Sequence, residues 1–215
     1  MDTLKLKKQT LNIQVYETLK NMLINKEFDS ENKLNEVQVA NMLGVSPTPV
    51  REAFRMLAID GLVEIIPWKG VFVKKVTLKD LEEVYQCRIA LETQAINLCI
   101  DYINDEDIDK LINFLENHED NSKSKLNLSN EIHNIIAEQS HNKRLEALIK
   151  QLNDVVFVDR NLTLKDSERS REIDKEHKEI LYYIKKRDKE NAAKAMALHL
   201  NNGFNYLKNN YEWDK

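Results

Sequence analysis

The sequence predicts a mainly α-helical chain of two parts: helices and a small β-hairpin first, then an all-α antiparallel bundle of about six helices. All three prolines and three of the four glycines lie before residue 76, whereas residues 77–215 contain one glycine and no proline. Charge changes at the same place, because residues 1–76 carry 11 basic and 9 acidic side chains and the remainder carries 21 and 27. We therefore expect domains at about 9–76 and 77–215, of which the first is better suited to a polyanion.

The chain begins with a lysine-rich arm at residues 4–9, which is either a solvated tail or a contact to phosphates. Apolar side chains then recur with helical spacing over residues 11–25 and predict a first helix. The polar residues 26–33 are predicted to form a loop.

Residues 36–55 carry the strongest local pattern. Apolar positions with helical spacing lie on both sides of Gly44, which predicts two helices joined at a tight corner, a helix-turn-helix. Pro47 suits the first position of the second helix, since its missing amide hydrogen would have no partner there. Ser46 is predicted to cap that helix through its hydroxyl group.

The second helix of this motif is predicted to have two different faces. Thr48, Arg51 and Arg55 recur at steps of three and four residues and share a polar face with Glu52. Apolar side chains share the opposite face: Val50, Phe54 and Leu57. The apolar face would anchor the helix, and the polar face could enter a DNA major groove.

Two short runs rich in β-branched and aromatic residues follow, at residues 62–66 and 71–73. They flank a turn of Pro67, Trp68, Lys69 and Gly70, which predicts a β-hairpin. A hairpin beside the second helix of the motif makes a wing.

Six helices with short polar connections are predicted for the second domain. The first opens at a capping signal formed by Thr77 and Asp80, and the others are expected at about 105–119, 126–139, 142–162, 168–187 and 189–211. Helices joined by short loops pack as an antiparallel bundle.

Three histidines of the second domain lie on apolar stripes of three different predicted helices: His133, His177 and His199. A single histidine in such a place is usually a hydrogen-bonded core residue. Three imidazoles that converge from separate helices can hold a divalent transition metal. The spacing leaves both interpretations open.

Cys87 and Cys99 lie twelve residues apart on one predicted helix. This is about 18 Å by helical rise, so they cannot form a disulfide, and we expect two buried thiols in a reducing compartment.

No apolar run approaches the ~20 residues of a membrane span, and the N-terminus lacks a signal-peptide core. We therefore expect a soluble, cytoplasmic chain without a membrane partner.

Residues 43–54 (LGVSPTPVREAF), followed by Gly61-Leu62-Val63, Pro67 and Gly70, closely resemble the winged helix of GntR-superfamily transcription regulators. The region from residue 77 resembles their FadR-type, or FCD, effector domain. That resemblance is carried by Tyr85-x-x-Arg88-x-x-Leu91-Glu92, His133 before Asn142-x-x-Leu145, Glu176-His177 before Ile180-Leu181, and His199-Leu200.

The resemblance implies DNA contacts by six residues: Ser46, Thr48, Arg51, Arg55, Lys69 and Gly70. Two positions depart from the family pattern. Pro47 stands where relatives usually have Arg, and Val37 stands where a basic residue is common. We therefore expect a shifted operator preference or weaker binding than in typical relatives.

Many FCD domains hold a metal with three histidines and an Asp four residues before the first, and the metal helps to bind a small carboxylate effector. The resemblance assigns His133, His177 and His199 to that site, but Ser129 replaces the Asp. A three-histidine site can still hold zinc or nickel, with water and effector in open positions, at reduced affinity.

Arg88 is the residue we expect to recognise the effector, because its planar guanidinium matches a carboxylate bidentately. An ion pair with Glu92, four residues further along the same helix, is an equally good explanation of this arginine.

Together these features predict a homodimeric DNA-binding regulator, a repressor of a metabolic operon, that reads a pseudo-palindromic operator and responds to a small organic acid. A metal-dependent hydrolase is the alternative, since three imidazoles around zinc can activate water. It lacks an evident general base. A structural adaptor with three core histidines is a third possibility.

Overall fold

The computed structural model describes residues 10–24, 27–28, 33–117, 122–163, 166–211 and 213. The basic arm at residues 4–9 and the side chain of Ser129 lie outside this description. The chain divides into two compact units, Met1–Lys75 and Val76–Lys215. The described part contains nine helices and three strands, which confirms the mainly helical fold class.

The first unit is a three-helix cluster with a small sheet. Its elements are α1 (Leu11–Ile24), β1 (Lys33–Leu34), α2 (Glu36–Leu43), α3 (Pro47–Ile59), β2 (Val63–Ile66) and β3 (Gly70–Val73). β3 is the central strand and pairs antiparallel with both β1 and β2. The predicted wing is therefore the β2–β3 hairpin. The strand β1 was not predicted, because it lies where the predicted loop ends. Its two residues are too few to show the alternation of apolar and polar side chains that identifies a strand.

The apolar side of α3 anchors this unit, as its spacing predicts. Val50, Phe54 and Leu57 are at most 1% exposed, and they share one core with Leu19 of α1 and Ala40 of α2. Burial of a side chain of this size contributes about 1.5–3 kcal/mol. The opposite side of α3 is consequently held at the surface.

Helix ends in this unit differ in how they are capped. The side chain of Asn35 caps α2 by accepting from the amides of Val37 and Gln38. Gly44 ends α2 with a left-handed φ of 67°. Ser46 precedes α3, but its hydroxyl makes no capping hydrogen bond, so that prediction was wrong. Such a cap accepts from the amide of the second or third helical residue, and the third is here Pro49, which has no N–H.

The second unit consists of six helices in the described part: α4 (Leu78–Cys99), α5 (Asp105–Asn117), α6 (Ser122–Gln139), α7 (Lys143–Thr163), α8 (Ser167–Lys185) and α9 (Lys189–Asn210). The capping box of Thr77 and Asp80 opens α4 as predicted. α4 packs against α6, α7 and α9, and α8 packs against α9. α4 is therefore the central helix around which a site can be built.

The two cysteines have different surroundings. Cys99 is buried, and burial raises the pKa of its thiol to about 12. Cys87 is exposed, so the prediction of two buried thiols was wrong for this residue. Cys87 lies next to the buried Arg88, about 100° around the helix and off the inward stripe.

None of the helices in the described part combines the length and the apolar character that crossing a bilayer requires.

Candidate DNA-reading face and three-histidine centre

The exposed side of α3 and the residue that precedes this helix supply four of the residues expected to contact DNA. Ser46, Thr48, Arg51 and Arg55 are all exposed, and we call them the DNA-reading face. The core on the other side of the helix fixes its orientation. The face is thus a polar surface on a rigid element.

Both arginines of the DNA-reading face are paired with carboxylates. The Nε of Arg51 donates to Glu36 of α2 at 2.9 Å, and its Nη2 lies 2.8 Å from the same oxygen. Arg55 pairs with Glu52 at 2.8 Å. The side chains of Arg51 and Arg55 remain 54% and 61% exposed. A phosphate or a base edge can therefore compete for these guanidinium groups.

The wing carries the remaining two expected contacts, at its tip. Lys69 is exposed. Gly70 has a φ of 122°, and a Cβ at this position would lie 2.3 Å from Cε of Lys33. Only glycine combines this backbone conformation with the close approach of the lysine side chain.

The structure brings three histidines from three helices of the second unit together. His133 of α6, His177 of α8 and His199 of α9 each offer a ring nitrogen, and these atoms lie within 4.8 Å of one another. All three residues are at most 6% exposed. We call this group the three-histidine centre.

A carboxylate and an arginine support His133. The Nδ1 of His133 contacts the carboxylate of Glu92 on α4. The Nε of Arg88 donates to the other oxygen of Glu92 at 2.8 Å. Arg88, Glu92 and His133 are all nearly fully buried and form what we call the inner relay.

A second set of the same residue types supports His199. The Nδ1 of His199 lies 2.7 Å from Glu176 of α8. Arg169 donates two hydrogen bonds to Glu176, at 2.8 and 3.1 Å, and Asn202 donates a third at 2.8 Å. We call Arg169, Glu176 and His199 the outer relay.

Electrostatics keep the outer carboxylate ionised. Burial raises the pKa of Glu176, but the hydrogen bonds from His199 and Arg169 outweigh this effect and lower the pKa to about 2. An ionised carboxylate at Nδ1 draws the imidazole proton to that nitrogen. The Nε2 lone pair of His199 is then directed away from Glu176.

The two supported histidines meet through their Nε2 atoms, which are 3.2 Å apart. Two lone pairs at this distance repel each other unless a cation lies at them or a proton lies between them. Nitrogen ligands of a tetrahedral zinc ion, each about 2.0–2.1 Å from it, are about 3.3 Å apart. The donor set therefore fits a divalent metal, and it equally fits one shared proton.

Arg88 is completely buried and forms the predicted pair with Glu92. Its Nη1 has no hydrogen-bond partner among the residues that the structure describes. A buried guanidinium nitrogen without a partner is costly, so a polar group that reaches Nη1 would be bound favourably. The ion pair and a ligand contact are thus compatible.

Reasoning from sequence missed the carboxylate partners of the histidines. Glu92 was predicted as a partner of Arg88 and as part of a motif, and Glu176 only as part of a motif. A usable signal was present, because Arg169 and Glu176 are seven residues apart and share a helix face. The contact of Glu176 with α9 could not be read from spacing within α8.

A cleft of about 460 Å³ lies between α8 and α9. Arg169, Glu176, Asn202 and Tyr206 line it, and Tyr206 donates to Asp166 at 2.8 Å. The outer relay is therefore in contact with a surface cleft.

Two family models match the chain. The model described as "Bacterial regulatory proteins, gntR family" matches residues 11–73. The model described as "FCD domain" matches residues 83–202. The matched segments contain the DNA-reading face and the three-histidine centre, respectively.

Curated relatives agree with these matches. The chain is 34% identical over its whole length to the uncharacterized HTH-type transcriptional regulator YdhC of Bacillus subtilis, covering 99% of that protein. It is 31% identical to the Uxu operon transcriptional regulator of Escherichia coli, over 78% of this chain and 74% of that one.

Solved structures show the same fold. E. coli McbR/YncC matches with a TM-score of 0.79 at 23% identity, over 95% of this chain and 100% of that chain. A GntR regulator from Rhodococcus matches with a TM-score of 0.74 at 19% identity, over the same shares. Nothing in these comparisons supports the hydrolase alternative. The chain belongs to the GntR family of bacterial regulatory proteins that carry an FCD domain, and it is a DNA-binding transcription regulator and not an enzyme.

Proposed function

We propose that this regulator is a homodimeric repressor of a metabolic operon, and that a small carboxylate bound beside a metal in the FCD domain releases it from its operator. The observation that carries the proposal is the three-histidine centre with its two Arg–Glu–His relays. A DNA-binding regulator of this kind acts in the cytoplasm, where the DNA is.

The DNA contacts are assigned to the exposed face of α3 and to the wing. Thr48, Arg51 and Arg55 would meet base edges and phosphates of the major groove, with Ser46 at the start of the helix. Lys69 and Gly70 would meet the backbone at the wing. A dimer would place two such faces on half-sites about one helical turn apart.

Zinc or nickel is assigned to His133, His177 and His199. The relays support this assignment, because metal-bound histidines commonly donate their second ring proton to a carboxylate. Among the described residues the centre has three neutral nitrogen ligands and no carboxylate ligand. A divalent ion held by these three residues would keep its positive charge, and it would therefore favour an anionic ligand.

The effector would supply the carboxylate that this chain lacks at the position of Ser129. One effector oxygen would bind the metal, and Arg88 Nη1 would bind the same or a second acid group. Its affinity should therefore depend on the metal more strongly than in relatives with an Asp ligand.

Release from the operator would follow from linkage. An effector that binds better to the dimer geometry unable to span both half-sites lowers DNA affinity by the same coupling free energy, commonly about 1–3 kcal/mol.

Gel shifts test this proposal. A duplex is first selected from a random pool by the wild-type protein, and its retention is measured with a panel of small mono- and dicarboxylates. At least one acid should release the duplex from zinc-loaded protein and fail to release it after chelation. The Arg88→Lys variant should bind the duplex normally but need a higher acid concentration.

Release that is unchanged by chelation, or no release by any acid in the panel, would contradict the metal-effector assignment. A single-chain mass in sedimentation at the concentrations used would contradict the homodimer. Failure to select any duplex would contradict the DNA contacts themselves.

A further inference from the structure

We infer that Trp68, at the tip of the wing, is an apolar wedge that enters the minor groove of the operator. The inference rests on DNA binding by the first unit and adds a contact residue that neither the family pattern nor spacing assigned. The side chain of Trp68 is fully exposed to solvent, with a relative exposure of 104%.

The backbone at Trp68 is held in an unfavourable conformation. Its φ is 64°, in the left-handed region that glycine and asparagine adopt easily and that costs a bulky residue about 1–2 kcal/mol. A tight turn could use a small residue here without this cost. Folding explains neither the exposure nor the backbone strain of Trp68. A contact with another molecule would explain both.

The hairpin presents this side chain on a firm base. The amide of Lys69 donates to the carbonyl of Ile66 at 3.1 Å and closes the turn. β3 is paired on both edges, and Val71 is buried in the core of the unit. The indole is thus carried by a fixed hairpin and not by a free loop.

Positive charge beside the indole indicates which partner it fits. Lys69 follows Trp68 and is exposed, and Nζ of Lys33 lies within 3.1 Å of where a Gly70 Cβ would be. An apolar side chain on a wing tip that also carries two lysines suits a groove lined by phosphates. Minor-groove binders insert apolar wedges between base steps in this way, and cations line the narrow groove.

Fluorescence tests the inference directly, because the sequence contains only two tryptophans. The second, Trp213, packs on Tyr211 and is partly buried. In a Trp213→Phe background all tryptophan emission comes from Trp68. Addition of the duplex selected by wild-type protein should quench this emission to a plateau at one dimer per site, because stacked bases quench an inserted indole.

Affinity variants give a second, independent readout. Trp68→Ala should weaken binding to that duplex by about 10-fold or more, since base–aromatic stacking is lost, whereas Trp68→Phe should stay within about 3-fold. The matched control is Ile65→Ala, which removes another exposed apolar side chain of the same hairpin and should leave affinity unchanged. Melting curves confirm that each variant is folded.

The inference is overturned if Trp68 emission is the same with and without saturating duplex and Trp68→Ala binds like the wild type. It is also overturned if the emission shifts with protein concentration alone, which would indicate contact between two copies. If wild-type protein selects no duplex at all, the DNA-binding assignment fails first.

Discussion

Two arginine–glutamate pairs show how burial changes the purpose of one interaction. Arg51 and Glu36 on the DNA-reading face, and Arg88 and Glu92 at the three-histidine centre, both have an N–O distance of 2.8 Å. The first pair has side chains 54% and 29% exposed, and the second has 0% and 2%. An exposed guanidinium can exchange its carboxylate for a phosphate at little cost, whereas a buried one holds its partner in place.

The largest expected effect is a loss of stability on removal of the buried carboxylate. Glu92→Gln should destabilise the second unit by about 3–5 kcal/mol, because Arg88 keeps its charge in the interior without a counter-charge. Glu36→Gln should change the stability of the first unit by less than about 1 kcal/mol. Urea unfolding followed by Trp213 emission in a Trp68→Phe background reports on the second unit. Hydrogen exchange of the α3 amides at rising urea concentration reports on the first, because Trp68 is fully exposed and its emission does not sense unfolding. Equal losses of unfolding free energy from Glu92→Gln and Glu36→Gln would contradict the difference between the buried and the exposed pair.

A second test concerns the outer relay and its effect on metal binding. Glu176→Gln leaves the three histidines in place but removes the ionised partner of His199, so zinc affinity should fall by about 10–100-fold. Competition with a coloured chelator measures this change. Glu172→Gln is the matched control, since Glu172 contacts the same arginine at 3.1 Å and makes no hydrogen bond to a histidine among the described residues. An equal effect of both substitutions would contradict the role given to Glu176.

On the exposed side the expected effects concern DNA and not stability. Arg51→Ala should weaken operator binding by about 1–3 kcal/mol and relax discrimination at one base pair, if the guanidinium leaves Glu36 for a base edge. Arg144→Ala, which removes an exposed arginine of the second unit, serves as the control. Operator affinity that is unchanged by Arg51→Ala would count against the docking of α3.

The smallest effect is expected at the wing lysine. Lys69→Ala should weaken all duplexes alike and reduce the slope of log affinity against log salt by about one, as for a single phosphate contact. Gel shifts at two salt concentrations, with selected and random duplexes, distinguish this from base reading. A loss confined to the selected duplex would mean that Lys69 reads sequence.

The fold was largely predictable because its signals are periodic. Val50, Phe54 and Leu57 lie on the buried side of α3 as their spacing requires, and the hairpin follows its turn residues. The capping hydrogen bond of Ser46 was mispredicted, and Pro49 removes one of the two amides that could donate to this hydroxyl. Cys87 was wrongly predicted to be buried, because it lies next to the buried Arg88 in sequence but about 100° around the helix from it.

The centre was predictable only in part. The apolar stripes identify His133, His177 and His199, but they do not reveal the partners that cross from one helix to another. Glu92 reaches α6 and Glu176 reaches α9, and such contacts depend on how helices pack and not on spacing within one helix. Only the tertiary structure shows these contacts between a carboxylate of one helix and a histidine of another.

The number of zinc ions bound per chain decides whether the three-histidine centre is a metal site. Protein dialysed against zinc, then against metal-free buffer, is analysed for zinc per chain by elemental analysis, with His177→Ala and the exposed-site control His141→Ala alongside. We expect about one zinc per chain in the wild type and in His141→Ala, and loss of the ion in His177→Ala. Wild-type protein that retains neither zinc nor nickel after the same treatment would show that a shared proton, and not a metal, joins His133 and His199.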